Sequence, residues 1–214
     1  MAVTYVRGLR AAGSVVDEVE RQGRRGLLIE ADSADPAAVT NAVQRTASEL
    51  GRLDILVNNA GIFPSGAPEA VTLEELDRTL AVHVRAVFVA SQAALSYMGA
   101  GGRIISIGSC FAQRVPYAGV SLYAMSKSAL IGLTRGLARD LGGRGITVNV
   151  VDPGSTDTEM NPADGPTAES ERELIALGRY ADPSEIAAVV AFLAGEGGGY
   201  ITGASIAVDG GFAA

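Results

Sequence analysis

The chain has 214 residues, 48% hydrophobic and 19% charged, a length and balance that let one domain over residues 1–214 bury a core of its own. A net charge of −7 with no basic cluster argues against nucleic acid as a partner. No apolar run approaches a membrane span and no basic-then-apolar leader opens the chain, which argues against a membrane. Cys110 is the single cysteine, so an internal disulfide is excluded and a cytoplasmic setting fits; with one histidine there is no ligand set for a structural zinc.

Short β-rich runs alternate with longer helical patterns. Residues 2–6 (AVTYV) read as a strand, followed by a helix over 9–22 and a strand over 26–31 (GLLIEA). Asp35 before Pro36 reads as an N-cap with proline at the first helical position, opening a helix over 36–50. After the strand 53–58 (LDILVN), Thr72 and Glu75 make a capping box for one long helix over 72–98. A strand over 103–108 (RIISIG), a helix over 120–141 and a strand over 146–151 (ITVNVV) follow. The segment 155–178 is irregular with a helical patch near 167–177; Asp182 and Pro183 then open a helix over 183–194, before a last strand over 205–209 (SIAVD). Several strands are apolar on both faces, as a helix-covered parallel sheet requires. The alternation predicts an α/β fold, a Rossmann-like doubly wound parallel sheet with helices on both faces.

In such sheets ligands sit beyond the carboxyl ends of the strands. Three strand ends carry polar or glycine-rich residues: Asn58-Asn59-Ala60-Gly61, Gly108-Ser109, and Asp152 through Thr158. Each alone also reads as ordinary turn chemistry. The helix after the second of them holds Tyr123 four places before Lys127, the only lysine in the chain. Residues four apart share a helix face, and an ammonium beside a phenol favours the ionised phenol. On these two residues alone, an incidental pair on a surface helix is an equal reading.

Taken together, LVNNAG, a serine fourteen places before the tyrosine, Tyr123-x-x-x-Lys127, NVVDPGSTDT and YITGASIAVDGG resemble the short-chain dehydrogenase/reductase family, in its 3-oxoacyl reductase-like branch. The resemblance runs from residue 2 to the C-terminal GGFAA. It implies hydride transfer between a nicotinamide cofactor and a ketone or secondary alcohol, with Tyr123 as general acid/base. It implies that Lys127 lowers the phenol's pKa and binds the nicotinamide ribose, and that Ser109 holds the substrate carbonyl. Asn59, Ala60 and Gly61 would line the cofactor, and Pro153, Gly154, Thr156 and Thr158 would hold its carboxamide end. Asp32 would contact the adenine; a loop acid is its equal alternative. Arg7 stands where the family chooses its cofactor, and a guanidinium there suits the 2′-phosphate of NADP(H). A homo-oligomer acting on a small-molecule carbonyl or alcohol is the implied assembly.

Two departures stand out. His83 occupies the position of an asparagine that completes a proton relay from the lysine; a histidine keeps a donor and an acceptor, so asparagine is expected to be tolerated there, and a merely structural hydrogen bond is the alternative. The first residues already match the family's second strand, so a strand, a helix and the glycine-rich turn that cradles the pyrophosphate, about thirty residues, are absent. The resemblance thus implies an N-terminally incomplete domain with strand edges left unpaired where the central strand would lie. The competing expectation is a catalytically impaired paralogue that acts as a non-enzymatic binding protein.

Overall fold

A computed structural model describes residues 1–214. Its elements alternate as the sequence pattern requires: β1 (Ala2–Tyr5), α1 (Leu9–Arg21), β2 (Leu27–Glu30), α2 (Pro36–Leu50), β3 (Ile55–Asn58), α3 (Leu73–Leu80), α4 (Ala86–Ala94), β4 (Arg103–Ile107), α5 (Ser121–Leu141), β5 (Thr147–Pro153), α6 (Ala168–Arg172), α7 (Pro183–Ala194) and β6 (Ser205–Val208). All strand pairs are parallel. β3, β4, β5 and β6 form one sheet in that order, and β1 pairs only with β2 in a second. The registers Asn58↔Ser106, Ile107↔Val151 and Pro153↔Val208 bring the carboxyl ends of the four strands level, which sets up the site.

Successive strand residues point to opposite faces. Ile104 and Val148 therefore pack with Val43, Ala90, Ala94 and Leu141 under α2, α4 and α5, whereas Ile105 and Val151 pack with Ile186 and Leu193 under α7. β5 is buried from Thr147 to Asp152, as expected for a strand covered on both faces. The β1–β2 pair is held by Ile29, Ala31 and Ala42 beneath α2, and α2 in turn packs on α4. β1 and β3 do not pair, and the β3 side chains Ile55 and Val57 are 44% and 42% exposed.

The caps form with variations. Asp35 accepts the Ala37 N–H at 2.8 Å. Asp182 and Glu185 complete a full capping box on α7, whereas Thr72 accepts from Glu75 N–H at 3.1 Å without the reciprocal arm. The single helix expected over 72–98 is instead α3, a π-helical turn at Ala81–Arg85, and α4 ending at Ala94. The helical patch expected over 167–177 shortens to α6, and Thr156 makes one isolated bridge to Ala181. No helix is long and apolar enough to cross a membrane.

Candidate active site

The ends of β3, β4 and β5 and the first turns of α5 wall a cavity of about 1220 Å³. Eleven of the thirteen site residues expected from the sequence line it: Arg7, Asn59, Ala60, Gly61, Ser109, Tyr123, Lys127, Pro153, Gly154, Thr156 and Thr158. Asp32 and His83 do not. Asp32 stays on its own loop, its Oδ1 accepting the Ala34 N–H at 2.8 Å and its Oδ2 facing Arg78 at 3.7 Å.

Ser109 ends the turn after β4. Its Oγ accepts the Phe111 N–H at 3.2 Å, which caps a short 3-10 turn at Cys110–Ala112. The Ser109 hydroxyl also favours the ionised form of the Tyr123 phenol. Burial outweighs that effect and raises the Tyr123 pKa, so the phenol is held protonated. The lowering that the sequence reading expected from Lys127 does not set the resting state of the phenol, where burial dominates. The Lys127 Nζ lies 5.7 Å from the centre of the Tyr123 ring and donates instead to the Ile107 carbonyl at 2.8 Å. Burial lowers the Lys127 pKa to about 8, with the Asp152 carboxylate acting in the opposite direction.

His83, 1% exposed, projects from the π turn. Its Nε2 accepts the Ile62 N–H at 2.9 Å, so Nδ1 carries the proton and donates to Ser126 Oγ at 2.8 Å. The Ser126 hydroxyl in turn donates a hydrogen bond to the Tyr123 carbonyl oxygen at 2.7 Å. Burial first, then Lys127, lowers the His83 pKa to about 4, which keeps the ring neutral. Both nitrogens are engaged by protein groups, the kind of structural hydrogen bonding that the sequence reading held as the alternative to a relay. The same ring stands close to the Asn59–Gly61 loop, since a Cβ on Gly61 would lie 3.5 Å from His83 Nε2 and 3.7 Å from Lys127 Nζ.

Sequence reasoning passed over three features of the cavity. Phe63 meets the Tyr123 ring edge-on at 4.8 Å and Phe111 does so at 6.0 Å, giving the tyrosine an aromatic wall. Glu171, from α6, reaches the lining, where it accepts Ser155 Oγ at 2.6 Å and Asn161 Nδ2 at 2.9 Å. Asp152 lies behind Ser109 and is 0% exposed. The aromatics had no spacing signal; Asp152 looked like turn chemistry because it precedes Pro153-Gly154.

The donor set suits a dinucleotide: a guanidinium at Arg7, main-chain groups at Asn59–Gly61, and hydroxyls at Thr156 and Thr158. A parallel sheet delivering a protonated phenol, an ammonium and a serine hydroxyl to such a cavity is the arrangement of a nicotinamide-dependent oxidoreductase. A family model described as Enoyl-(Acyl carrier protein) reductase matches residues 1–213. A short-chain dehydrogenase from Burkholderia cenocepacia J2315, solved in complex with NADP, is 57% identical with a TM-score of 0.98, over 100% of this chain and 87% of that one. A blue fluorescent protein from a metagenomic library, solved in complex with NADPH, gives the same identity, TM-score and coverage. The Cyclic-di-GMP-binding biofilm dispersal mediator protein of Escherichia coli (strain K12) is 46% identical over 86% of this chain and 76% of its own length. The chain belongs to the short-chain dehydrogenase/reductase family.

Proposed function

We propose that the chain is an NADP(H)-dependent carbonyl reductase that interconverts a ketone and its secondary alcohol, acting as one domain. The observation that carries this reading is the meeting of Ser109, Tyr123 and Lys127 in the cavity that also holds Arg7 and Asn59–Gly61. Arg7 and the NADP-bound neighbours both favour the phosphorylated cofactor.

Bound nicotinamide supplies the hydride. Ser109 and Tyr123 both donate to the substrate oxygen, fixing the carbonyl carbon within the cavity. As negative charge grows on that oxygen, the Tyr123 phenol gives up its proton to it. Its raised pKa keeps the proton in place until then. The Lys127 ammonium, buried beside the ring, stabilises the phenolate that remains. Phe63 and Phe111 hold the Tyr123 ring by its edges while this exchange takes place.

The walls also speak to the substrate. Aromatic rings near Tyr123 and the Glu171 carboxylate favour a neutral carbonyl compound, either a ring ketone or the uncharged head of a 3-oxoacyl thioester, over one bearing a carboxylate beside the ketone. The exposed Phe88 of α4 and Met125 of α5, 48% and 49% exposed, support a homo-oligomer, which sedimentation measures. The lone thiol of Cys110, buried and pushed up to about 12 by burial, fits a reducing cytoplasm.

NADPH consumption against a panel of neutral ketones tests the proposal. Turnover that disappears in Tyr123→Phe is expected; NADPH binding without turnover of any ketone overturns it. A second reading, binding of a cyclic dinucleotide without turnover, is favoured by the name of the Escherichia coli relative. Calorimetric titration with cyclic-di-GMP distinguishes the two, since heat with that ligand and none with NADPH supports the second.

A further inference from the structure

Asp152, the penultimate residue of β5, is a fully buried carboxylate that takes part in none of the six ion pairs of the chain. Oδ1 accepts the Ser109 main-chain N–H at 3.1 Å. Oδ2 accepts the Gln113 amide at 3.4 Å and the Ser205 hydroxyl. Gly108 leaves room for it: a Cβ on that residue would stand 1.9 Å from Oδ1. The turn from Ile107 to Ser109 is thus held at both ends, since Lys127 Nζ donates to the Ile107 carbonyl at 2.8 Å. A charge buried without an ion-pair partner is costly, so a site that retains one gives it a task.

We propose that Asp152 is a positioning residue for the reductase reaction, seating the main chain of Ser109 and holding the Lys127 ammonium in its charged form across the same turn. This rests on the reductase reading above. Three titratable groups act on Lys127 or on the turn it holds: Tyr123 on its own helix, with its ring centre 5.7 Å from Nζ, His83 on the π turn, and Asp152 on β5, whose Oδ1 accepts the Ser109 N–H two residues beyond the Ile107 carbonyl that Nζ reaches. His83 is neutral and Tyr123 protonated, so Asp152 is the one negative charge acting on the ammonium. Asp209, beyond Cys110, acts on that thiol. Burial pulls the Lys127 pKa down and the Asp152 charge opposes the fall, leaving it at about 8. Removing the charge therefore lets Lys127 lose its proton at lower pH.

The composition provides a direct probe. Lys127 is the only lysine, so protein labelled with isotope at the lysine side chain gives one resonance whose titration belongs to this residue. Asp152→Asn keeps an oxygen for the Ser109 N–H and removes the charge. Its lysine resonance is expected to titrate lower by on the order of one pH unit. The alkaline limb of the kcat profile should move the same way, with kcat reduced and the NADPH dissociation constant unchanged. Ser205→Ala, which strips a donor from Oδ2 and leaves the carboxylate less neutralised, should move the resonance upward. It also keeps the proposal open to test should the asparagine variant fold poorly. An unmoved lysine resonance in whichever variants fold overturns the proposal. The resonance reads Asp152 even in a protein without turnover, so failure of the reductase reading remains separable from failure of this one.

Discussion

The imidazole of His83 is fastened to Ile62: the Ile62 N–H donates to Nε2 at 2.9 Å, tying the loop that leaves β3 to the π turn. Through Nδ1 the same ring holds Ser126, and Ser126 holds the main chain of Tyr123. The loop expected to line the cofactor and the helix turn carrying the phenol therefore share one strut. A π turn places an extra residue in the helical ladder and turns His83 inward.

Asparagine has the imidazole's two functions but not its span. His83→Asn should leave either the Ile62 N–H or the Ser126 hydroxyl without its partner, at a cost of about 1–3 kcal/mol. Lower Tm and lower kcat are expected in both His83→Asn and His83→Leu, the reverse of the tolerance anticipated from residue type alone. A thermal melt and a single-turnover assay check this. An asparagine variant with wild-type Tm and kcat would show that the strut is idle.

The strut also carries a pH signature. The folded pKa of His83 is lowered to about 4 from an ordinary 6.5. The unfolded chain therefore takes up a proton between those values and the folded one does not. The stability that neutral His83 contributes is present above about pH 6.5 and is lost as pH falls towards about 4. Tm measured from about pH 7 to about pH 4.5 should fall more steeply in the wild type than in His83→Leu. Parallel curves would count against a buried neutral imidazole.

Tyr123→Phe removes the proton donor and little else, because the ring keeps its edge contacts with Phe63 and Phe111. A loss in kcat of roughly a hundred- to ten-thousandfold is expected. The NADPH dissociation constant should stay within about twofold, since the lost step is proton transfer rather than binding. Calorimetry alongside steady-state kinetics separates the two. Substantial residual turnover would place the proton on another group.

What the sequence disclosed was what repeats or caps. The short β-rich runs, several apolar on both faces, located all six strands, and Asp35-Pro36 and Asp182-Pro183 fixed the starts of α2 and α7 to the residue. The spacing of Ser109, Tyr123 and Lys127 located the cavity because strand ends meet there by topology. The π turn at Ala81–Arg85 was hidden, since apolar spacing reads the same whether one turn is widened or not. Asp152 and Glu171 were hidden for another reason. Their roles come from neighbours distant in the chain, Ser109 for one and Ser155 with Asn161 for the other, which no local pattern reports.

The division of the sheet should appear in hydrogen exchange. β1–β2 is a two-stranded ribbon resting on Ile29, Ala31 and Ala42, whereas β4 and β5 are flanked by strands and covered by helices on both faces. Two-stranded pairs are marginal by themselves, and local opening follows local burial. Amides of β1 and β2 should exchange roughly a hundredfold faster than those of Ile104, Ile105, Val148 and Val150, a difference of about 2.7 kcal/mol in opening. Equal protection across both groups would mean that the two sheets open as one unit.

Glu171 gives the last expectation, on substrate choice. Its carboxylate is held in place by Ser155, Asn161 and the Thr167 hydroxyl, the last at 3.3 Å, and it lines the cavity with Tyr117 and Tyr123. Tyr117 registers the charge: burial first and then Glu171 push its phenol up to about 12. A substrate carboxylate entering between these groups meets the same repulsion, and the two cations of the lining, Arg7 and Lys127, are those the proposal gives to the cofactor and to the proton-transfer step. Glu171→Gln keeps the shape and hydrogen-bonding capacity while removing the charge. The kcat/KM for a ketone bearing a carboxylate should then rise roughly five- to tenfold, the change that about 1–1.4 kcal/mol of relieved repulsion gives. For the neutral ketone of the same skeleton it should stay within about twofold, as a uniform electrostatic field acts little on an uncharged ligand. Steady-state kinetics on the matched pair of ketones decides the point. Equal change in both would show that Glu171 only braces α6 against the end of β5 and takes no part in selection.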